Sequence, residues 1–411
     1  MVKISRKGQR LKIILGVCGS ISAYRSLDIC RQLVKDGHDL KVVLTKGALE
    51  FVKPQVFKYL GAQEVFSPDD DFNLDAMKER SVLHIELSKW AERILIAPAS
   101  SNSLAKLSNG LCDDLLTSIF LASPNTPTII FPAMNTNMLN HPLTENNFER
   151  LSCLDNVFIH PTKEGLLACG DEGAGKLADV ELIATVTPII NFGKVNRKIL
   201  ITTGATIAPL DPVRYLTNPS SGKTGLELAK QYLKTGCQVT LIAGRYSCKE
   251  IDYLTHLPNS KVIRVSTTRE MHEAVKEHFE SHDTYISSAA LSDIEFAQSQ
   301  SKMKKGDLGN SISISKAPDV LKDMLDRKTN QKIVGFAAES NDRLDTFVKK
   351  WKDKPVDVLV GNLVHANHNK DSIGFGSGEN QYTILKSGER FFSGRLSKRE
   401  LAEKIEQALG N

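Results

Sequence analysis

Short apolar runs alternate along the chain with longer segments in which apolar residues recur at helical spacing. The runs "LKIILGV" (11–17), "LKVVLT" (40–45), "RILIAPA" (93–99) and "TIIFPAM" (128–134) have the length and composition of buried strands. After the first run, "SISAYRSLDICRQLVKDG" (20–37) has the apolar spacing of a helix and ends on a glycine. This alternation predicts a parallel, doubly wound α/β sheet.

The same pattern starts again in the second half of the chain. The run "KILITTGA" (198–205) is predicted to be a strand that leads into a loop, a helix is predicted over 224–235, and the strand "QVTLIAG" (238–244) follows. A chain of this length is long enough for two or three domains. We therefore predict two α/β domains, residues 1–189 and residues 190–411.

Composition and charge exclude several classes of function. Hydrophobic residues make up 41% of the 411 residues and charged residues 25%, which is typical of soluble globular proteins. The net charge of +5 is spread along the chain, so we expect no nucleic-acid partner. No apolar stretch reaches the length of a membrane span. Seven scattered cysteines without metal-ligand spacing, and the lack of a signal peptide, predict a cytoplasmic protein with free thiols.

The candidate chemistry of the first half lies in loops after predicted strands, where open parallel sheets bind ligands. The loop "GVCGSIS" (16–22) contains glycines that let the backbone approach a ligand, but Cys18 occupies the second glycine position of the dinucleotide fingerprint. An ordinary turn and a cofactor site fit this loop equally well. A second loop, "APASSNSLAK" (97–106), is rich in small polar residues, of which helix capping explains only one or two. These residues are Ser100, Ser101, Asn102 and Ser103.

Three further segments of the first half have both a structural and a catalytic interpretation. Asn135 in "FPAMNTNM" (131–138) either belongs to a turn or grips a carboxylate or amide of a ligand. His84 is either a structural histidine or a catalytic one. The glycine-rich "ACGDEGAGKLAD" (168–179) is predicted to be a lid, on which Cys169 is either an inert thiol or a proton donor.

The segment "TNPSSGKTG" (217–225) ends like a P-loop, because it closes on Gly-Lys-Thr-Gly. Thr217 stands where a P-loop has its first glycine, so the segment is not a P-loop. We predict instead a helix that begins near Lys223 and is capped by the side chain of Ser220 or Ser221.

Five more segments of the second half carry charged or aromatic residues near predicted strand ends and helix starts. They are "SSAALSD" (287–293), "KMKK" (302–305), "KAPDVL" (316–321), "VGFAAES" (334–340) and "KKWKDKP" (349–355). Phe336 is suited to stacking on a base, and Lys302 to contacting a triphosphate. By pattern alone, Pro318 marks an ordinary helix entry, and Lys350 and Lys354 belong to a solvated helix face.

Several of these motifs occur together in one known family. The pair "PAMNTNM" and "ACGDEGAGK", with "DPVRY" followed closely by "NPSSGK", resembles the bacterial bifunctional phosphopantothenoylcysteine decarboxylase / phosphopantothenate–cysteine ligase of coenzyme A synthesis. The resemblance runs along nearly the whole chain. It implies a flavodoxin-like FMN-binding domain followed by a Rossmann-like α/β ligase domain, and a homo-oligomer.

For the first domain, the resemblance implies an FMN-dependent decarboxylation of a cysteine derivative. Cys169 would be the proton donor, and His84 would lie next to the flavin as a base or orienting group. Asn135, with Ala133 and Met134 beside it, would bind the substrate carboxylate. The implied FMN contacts are Gly19, Ser20, Thr45, Ser100, Ser101, Asn102 and Ser103.

For the second domain, the resemblance implies that 4′-phosphopantothenate reacts with CTP to give an acyl-cytidylate, from which cysteine displaces CMP. Asn218 and Lys302 would be catalytic, and Arg214 would contact the substrate together with Asn218. Mg²⁺ would offset the triphosphate charge, with Asp293 as its candidate ligand. The implied nucleotide contacts are Asp293, Lys302, Pro318, Asp319, Val320, Leu321, Phe336, Lys350 and Lys354.

The chain departs from the family pattern at Ala205, Ile207 and Ala317, so the set of residues that recognises the base stays open. A first alternative is a two-domain, nicotinamide-dependent oxidoreductase, and the lack of the dinucleotide fingerprint in either half argues against it. A second is a non-catalytic flavoprotein subunit with a regulatory role, and the presence of His84, Asn135 and Cys169 argues against it.

Overall fold

The computed structural model describes residues 10–72, 82–166, 170, 172–193, 195–297, 299, 301–303, 312–339, 343–363 and 379–410. The chain forms two compact units, the first of residues 1–192 together with 256–258 and the second of residues 193–255 together with 259–411. Each unit is built on one large β-sheet, so the predicted α/β class is confirmed for both halves.

The first unit alternates strands and helices. Its strands are β1 (Lys12–Val17), β2 (Asp39–Leu44), β3 (Glu64–Phe66), β4 (Arg93–Ala99), β5 (Thr128–Pro132), β6 (Val157–Ile159), β7 (Lys163–Leu166) and β8 (Glu172–Lys176). Its helices are α1 (Arg25–Lys35), α2 (Lys46–Leu49), α3 (Pro54–Tyr59), α4 (Leu83–Trp90), α5 (Ser101–Asn109), α6 (Leu115–Leu121), α7 (Thr136–Leu139), α8 (Pro142–Ser152) and α9 (Val180–Val186). Short 3-10 turns lie at Ile21–Tyr24 and Asp70–Phe72.

The main sheet of this unit has the order β3-β2-β1-β4-β5-β6, and every neighbouring pair is parallel. All seven residues of β4 are buried, as expected for a central strand covered on both faces. The strand order reverses between β1 and β4, and ligands of such sheets bind in the crevice at this point. The predicted strand at 93–99 matches β4 residue for residue.

The glycine-rich segment predicted to be a lid contributes to a hairpin. Its residues Glu172–Lys176 form β8, which pairs antiparallel with β7. Cys169, the predicted proton donor on the lid, lies outside the described residues.

The second unit repeats the alternation. Its strands are β9 (Lys198–Thr203), β10 (Ile207–Pro209), β11 (Tyr215–Thr217), β12 (Gln238–Gly244), β13 (Ser260–Val265), β14 (Thr284–Ser287), β15 (Ile294–Phe296), β16 (Ile314–Lys316), β17 (Lys332–Glu339), β18 (Val358–Leu363), β19 (Glu379–Lys386) and β20 (Glu389–Ser397). Its helices are α10 (Lys223–Lys234), α11 (Thr268–Phe279), α12 (Val320–Asp326), α13 (Leu344–Asp353) and α14 (Lys398–Leu409), with a 3-10 turn at Lys249–Leu254.

The large sheet of the second unit has the order β13-β12-β9-β14-β17-β18-β19-β20. Its first six strands are parallel to one another, and β19 and β20 are added at the edge by antiparallel pairing. The order reverses between β9 and β14, so this sheet also has a ligand-binding crevice at the carboxyl ends of its central strands.

The start of α10 differs from the predicted one. The cap position belongs to Gly222, at a φ of 77°, and no side chain caps the helix, so the prediction of a cap by Ser220 or Ser221 is wrong. A left-handed backbone at the cap position favours glycine. Ser221 and Ser220 lie one and two residues before that position, so neither occupies it.

Contacts with β9 fix the position of the start of α10. The Thr203 hydroxyl donates a hydrogen bond of 2.9 Å to the carbonyl of Gly222. A Cβ on Gly225 would lie 2.3 Å from the Thr203 side chain, so only glycine fits where the helix crosses the strand.

In the parts of the chain that the structure describes, we find no helix with the length and apolar character needed to cross a membrane.

Candidate active sites

The first candidate site lies at the reversal of strand order between β1 and β4. Gly19 and Ser20 follow β1, and the polar cluster Ser100–Ser103 follows β4. The Ser20 hydroxyl accepts a hydrogen bond of 3.3 Å from the Ser22 amide, and Ser100 caps α5 by accepting one of 3.3 Å from the Ser103 amide. Capping therefore accounts for Ser100, and the rest of the cluster forms the first turn of α5, where an anion is favoured.

The loops after β1 and β2 touch through their backbones. A Cβ on Gly19 would lie 2.8 Å from the Cα of Gly47, so no larger residue fits there. Thr45 holds the cap position of α2, is buried, and makes no capping hydrogen bond through its side chain. Beside them, burial raises the pKa of the Cys18 thiol to about 11, so this side chain stays neutral. The donors at this site are thus hydroxyls and backbone amides, which fit the phosphate of a flavin nucleotide.

The hairpin of β7 and β8 is bonded to the segment that contains Asn135. The Met134 amide donates to the Gly175 carbonyl at 3.0 Å, and the Thr136 hydroxyl donates to the Ala174 carbonyl at 2.6 Å. Gly175 has a φ of 122°, and a Cβ there would lie 2.2 Å from the Met134 carbonyl oxygen. The glycine is therefore required by this close contact.

Asn135 itself caps α7. Its side-chain oxygen accepts a hydrogen bond of 2.8 Å from the Asn137 amide, which fixes the orientation of the side chain. The preceding Ala133 is buried, and its amide donates to the Ala99 carbonyl at 3.0 Å. This bond joins the end of β5 to the end of β4, so Asn135 and the Ser100–Ser103 cluster follow adjacent strands.

His84 has a carboxylate partner that the sequence analysis missed. Its Nδ1 lies 2.7 Å from Oδ2 of Asp71, and its backbone amide donates to Oδ1 of the same residue at 3.1 Å. Asp71 is only 5% exposed, whereas the imidazole remains partly accessible. Two contacts to one buried carboxylate define the position of the His84 ring. The only sequence signal was the acidic run "PDDDF" (68–72), which resembles any solvated turn.

The second candidate site is a cavity of about 630 Å³ at the carboxyl ends of β9, β14, β17 and β18. It brings together six of the residues predicted for the ligase half. They are Asn218, Asp293, Leu321, Phe336, Lys350 and Lys354. The wall also contains polar and basic residues that the sequence analysis missed or assigned to a helix start. They include Lys223, Ser288, Asn362, Asn380, Tyr382 and Lys398.

The basic residues from α13 are paired with acids. Lys350 forms an ion pair with Glu339, and Lys354 forms one of 2.7 Å with Asp319. Asp319 also caps α12 by accepting a hydrogen bond of 3.1 Å from the Lys322 amide. Asp319 therefore contributes to the site through Lys354, while Pro318 and Val320 do not line the cavity.

Asn218 joins the loop before α10 to the loop after β14. Its side-chain amide nitrogen donates to the carbonyl of Leu291 at 2.9 Å. Its backbone carbonyl accepts from the Ser220 amide at 2.8 Å. The two loops that flank the crevice are thus connected by one side chain.

Arg214 and Lys302 are not in the cavity wall, although the structure brings them close to one another. Arg214 is paired with the buried carboxylate of Asp211 and donates to the Met303 carbonyl at 2.8 Å. The Met303 amide donates to Asp211 at 3.2 Å. The Arg214 guanidinium holds the pKa of Asp211 well below its usual range. This arrangement anchors the segment that carries the exposed Lys302.

Comparison with known proteins identifies the family. A family model described as "Flavoprotein" matches residues 1–189, and one described as "DNA/pantothenate metabolism flavoprotein C-terminal domain" matches residues 195–411. The chain is 34% identical over 97% of its length to the coenzyme A biosynthesis bifunctional protein CoaBC of Bacillus subtilis (strain 168), covering 96% of that protein. It is 35% identical over 95% of its length to CoaBC of Escherichia coli (strain K12), covering 94% of that protein. The chain belongs to the CoaBC family.

A solved structure, the FMN binding protein AtHal3, is 33% identical to the chain, with a TM-score of 0.38, over 43% of this chain and 95% of that one. The family resemblance predicted from the sequence motifs is confirmed by the matches along both halves. The assignment of the first half to a flavoprotein family agrees with the phosphate-compatible crevice between β1 and β4.

No group of three or more histidine, cysteine, aspartate or glutamate side chains in the described residues is arranged to hold a metal ion. Asp293 is an exposed carboxylate at the ligase-half cavity, whose wall also includes Asp353. One or two carboxylates fit Mg²⁺ that arrives with a nucleotide, since such ions take most of their ligands from phosphates and water.

Proposed function

We propose that this CoaBC-family enzyme converts 4′-phosphopantothenate to 4′-phosphopantetheine in two steps, one in each half. Residues 190–411 ligate 4′-phosphopantothenate to cysteine with CTP, and residues 1–189 decarboxylate the product. The chain is a bifunctional enzyme of coenzyme A biosynthesis, as its family is. The observation that carries the proposal is the cavity at the carboxyl ends of β9, β14, β17 and β18, which contains an amide, a carboxylate, an aromatic ring and several lysines.

In the ligase step, the carboxylate of 4′-phosphopantothenate attacks the α-phosphate of CTP and pyrophosphate leaves. The amine of cysteine then attacks the acyl carbon and displaces CMP. Asn218 donates a hydrogen bond to the activated acyl group, and Phe336 stacks on the base. Lys350 and Lys354 offset the triphosphate charge, and Lys302 stabilises the negative charge that develops during transfer. Arg214 contributes by holding the segment of Lys302.

In the decarboxylase half, the residues around the crevice fit FMN. Gly19, Ser20, Thr45 and the Ser100–Ser103 cluster would hold its phosphate and ribityl groups. When bound, FMN would take two electrons from the cysteinyl thiol, which makes loss of CO₂ possible, and would return them after decarboxylation, so that the product is again a thiol. Asn135 holds the substrate carboxylate, with Ala133 and Met134 forming the surface beside it. His84 orients the reacting thiol and accepts its proton, and Cys169 protonates the product carbon.

The remaining parts of the proposal concern the environment of the chain. Mg²⁺ enters with the nucleotide, and Asp293 is its ligand from the protein. The protein forms a homo-oligomer and acts on small-molecule substrates in the cytoplasm. Family membership with bifunctional biosynthetic enzymes over nearly the full chain disfavours both the nicotinamide-dependent oxidoreductase and the non-catalytic regulatory subunit.

The direct test is to incubate the full-length protein with 4′-phosphopantothenate, cysteine and Mg²⁺, adding each nucleoside triphosphate in turn. We expect CTP to give CMP, pyrophosphate, CO₂ and 4′-phosphopantetheine. Release of a nucleoside diphosphate instead of CMP would contradict the acyl-nucleotide route. Failure to release CO₂ from added 4′-phosphopantothenoylcysteine would contradict the decarboxylase assignment.

Asp71 should be a positioning residue for His84. We expect Asp71→Asn to lower kcat of decarboxylation about a hundredfold, because the ring of a general base loses its orienting carboxylate. FMN content and KM should stay close to those of the unchanged protein. The matched control is Asp70→Asn, since the neighbouring Asp70 carboxylate accepts a hydrogen bond of 2.8 Å from the Ser67 amide. A loss of bound flavin in Asp71→Asn, or an equal loss of kcat in Asp70→Asn, would point to a structural role instead.

Lys302 should act in the ligase half alone. Lys302→Gln removes a charge that stabilises the transition state, which typically costs about a hundredfold in rate. CMP release should slow by that factor, while decarboxylation of added 4′-phosphopantothenoylcysteine should be unchanged. Lys276→Gln, on the exposed face of α11, is the matched control. A near-normal rate of CMP release from Lys302→Gln would remove this residue from the mechanism.

A further inference from the structure

Cys18 is a fully buried residue at the crevice between β1 and β4, and the proposed mechanism gives it no role. It directly follows β1, and its backbone amide donates to the Pro98 carbonyl of β4 at 3.1 Å. Its side chain belongs to the core cluster that also contains Ala99 and Leu104, the residues on either side of the polar turn 100–103. The thiol is therefore packed against the buried side of that turn.

Burial divides the residues of the polar turn into two groups. Asn102 is exposed and Ser101 is half-buried, whereas Ser103 is only 4% exposed. The Ser103 hydroxyl lies 3.1 Å from the Ser100 hydroxyl, and the Ser103 amide donates to the same hydroxyl at 3.3 Å. A side chain as buried as that of Ser103 is placed to orient Ser100 rather than to contact a ligand itself.

The Cys18 thiol extends this pair of hydroxyls into the core. Burial raises the pKa of the thiol to about 11, and hydrogen bonds with the Ser103 side chain and the Ser100 backbone oppose that effect. The thiol therefore keeps its proton near pH 7 and has one hydrogen to donate. The three side chains form a row that begins in the core at Cys18, passes through Ser103 and ends at Ser100, the cap residue of α5.

We propose that Cys18 is a positioning residue of the flavin-phosphate site: its thiol donates to Ser103, Ser103 donates to Ser100, and Ser100 donates to the phosphate of FMN. This inference rests on the proposed binding of FMN to the first unit. A hydroxyl has one proton and two acceptor positions. When Ser100 accepts from both the hydroxyl and the amide of Ser103, its own proton is left for the anion. Hydrogen bonds that run in one direction also strengthen one another.

The test measures the affinity of FMN for the full-length protein from which flavin has been removed, by the quenching of flavin fluorescence. Cys18→Ala removes the first donor of the row and should weaken FMN binding about tenfold. Cys18→Ser keeps a donor and should restore most of that affinity. If packing alone mattered, serine would be no better than alanine, because it is smaller than cysteine and polar. Equal affinities in Cys18→Ala and the unchanged protein, or no rescue by Cys18→Ser, would overturn the proposal.

The matched control is Cys30→Ala, which removes an equally buried thiol from α1. The Cys30 thiol donates to the Phe57 carbonyl at 4.0 Å, and burial raises its pKa to about 11 as well. Thermal unfolding of the flavin-free proteins should show a similar loss of stability in Cys30→Ala and Cys18→Ala, while Cys30→Ala binds FMN normally. Equal weakening of FMN binding in the two variants would indicate general damage to the core and would contradict the proposal.

A double-mutant cycle tests the row itself. Ser103→Ala breaks the row in the middle, so adding Cys18→Ala to it should cost little further affinity for FMN. Losses that add would mean that Cys18 and Ser103 act independently, which the proposal does not allow. If Cys18→Ala does not fold, Ser103→Ala decides the matter, and normal FMN affinity in that variant rejects the row.

The outcome is separable from the fate of the proposed function. If the unchanged protein contains no flavin after purification and binds no added FMN, the FMN assignment fails whatever the variants do. If it binds FMN and Cys18→Ala binds it equally well, the FMN assignment stands and only the role of Cys18 is rejected.

Discussion

Asn135→Asp should abolish decarboxylation while leaving the fold and the flavin in place. The Asn135 side-chain oxygen caps α7 through the Asn137 amide at 2.8 Å, and an aspartate oxygen can make the same bond. The substitution keeps this cap and places a carboxylate, which repels a negative charge, where the substrate carboxylate would otherwise meet an amide. Like charges held together cost several kcal/mol, which corresponds to a rate loss of about a thousandfold or more.

The measurement is CO₂ release from 4′-phosphopantothenoylcysteine, with the flavin absorbance recorded on the same sample. Asn146→Asp is the matched control, because it adds the same charge at an exposed position of α8. An Asn135→Asp protein that releases CO₂ at a near-normal rate would show that this amide does not hold the substrate carboxylate.

Asn218→Asp should have the complementary effect on ligation. The Asn218 amide donates to the Leu291 carbonyl at 2.9 Å, and an aspartate would oppose that carbonyl with a second acceptor. The bond between the two loops that flank the crevice would be lost, and a negative charge would face the incoming carboxylate and triphosphate. We expect CMP release to fall about a thousandfold or more, because both effects act against the transition state.

The two Asn→Asp variants also serve as controls for one another. Asn218→Asp should decarboxylate added 4′-phosphopantothenoylcysteine normally, and Asn135→Asp should release CMP normally. A variant that loses both activities would indicate general damage to the protein. Full ligase activity in Asn218→Asp would exclude this residue from contact with the activated acyl group.

Much of the fold was accessible from the sequence because its central strands are buried on both faces. Such strands appear as continuous apolar runs, and the runs at 93–99 and 238–244 coincide with β4 and β12 residue for residue. The functional loops were also accessible, since parallel sheets bind ligands where strands end, and the polar residues cluster there. The family motifs then pointed to the roles of individual residues.

The local geometry at helix starts was less accessible. Ser220 and Ser221 have the chemistry of capping residues, yet Gly222 takes the cap position of α10. The choice depends on the φ of one residue and on the close packing of Gly225 against Thr203, which is a contact between a helix and a strand. A local sequence pattern shows which residues can cap a helix. It does not show the backbone conformation with which the chain enters the helix.

The sequence by itself determined the α/β class, several of the central strands and the helices between them, and the loops in which the chemistry lies, because these follow from short-range periodicity. Only the tertiary structure decided which distant side chains meet. The contact of Asp71 with His84 and the presence of Lys398 beside Lys223 depend on how separate elements pack on a sheet. Packing sets distances to within a few tenths of an ångström through side-chain shape and burial, and no local pattern encodes those distances.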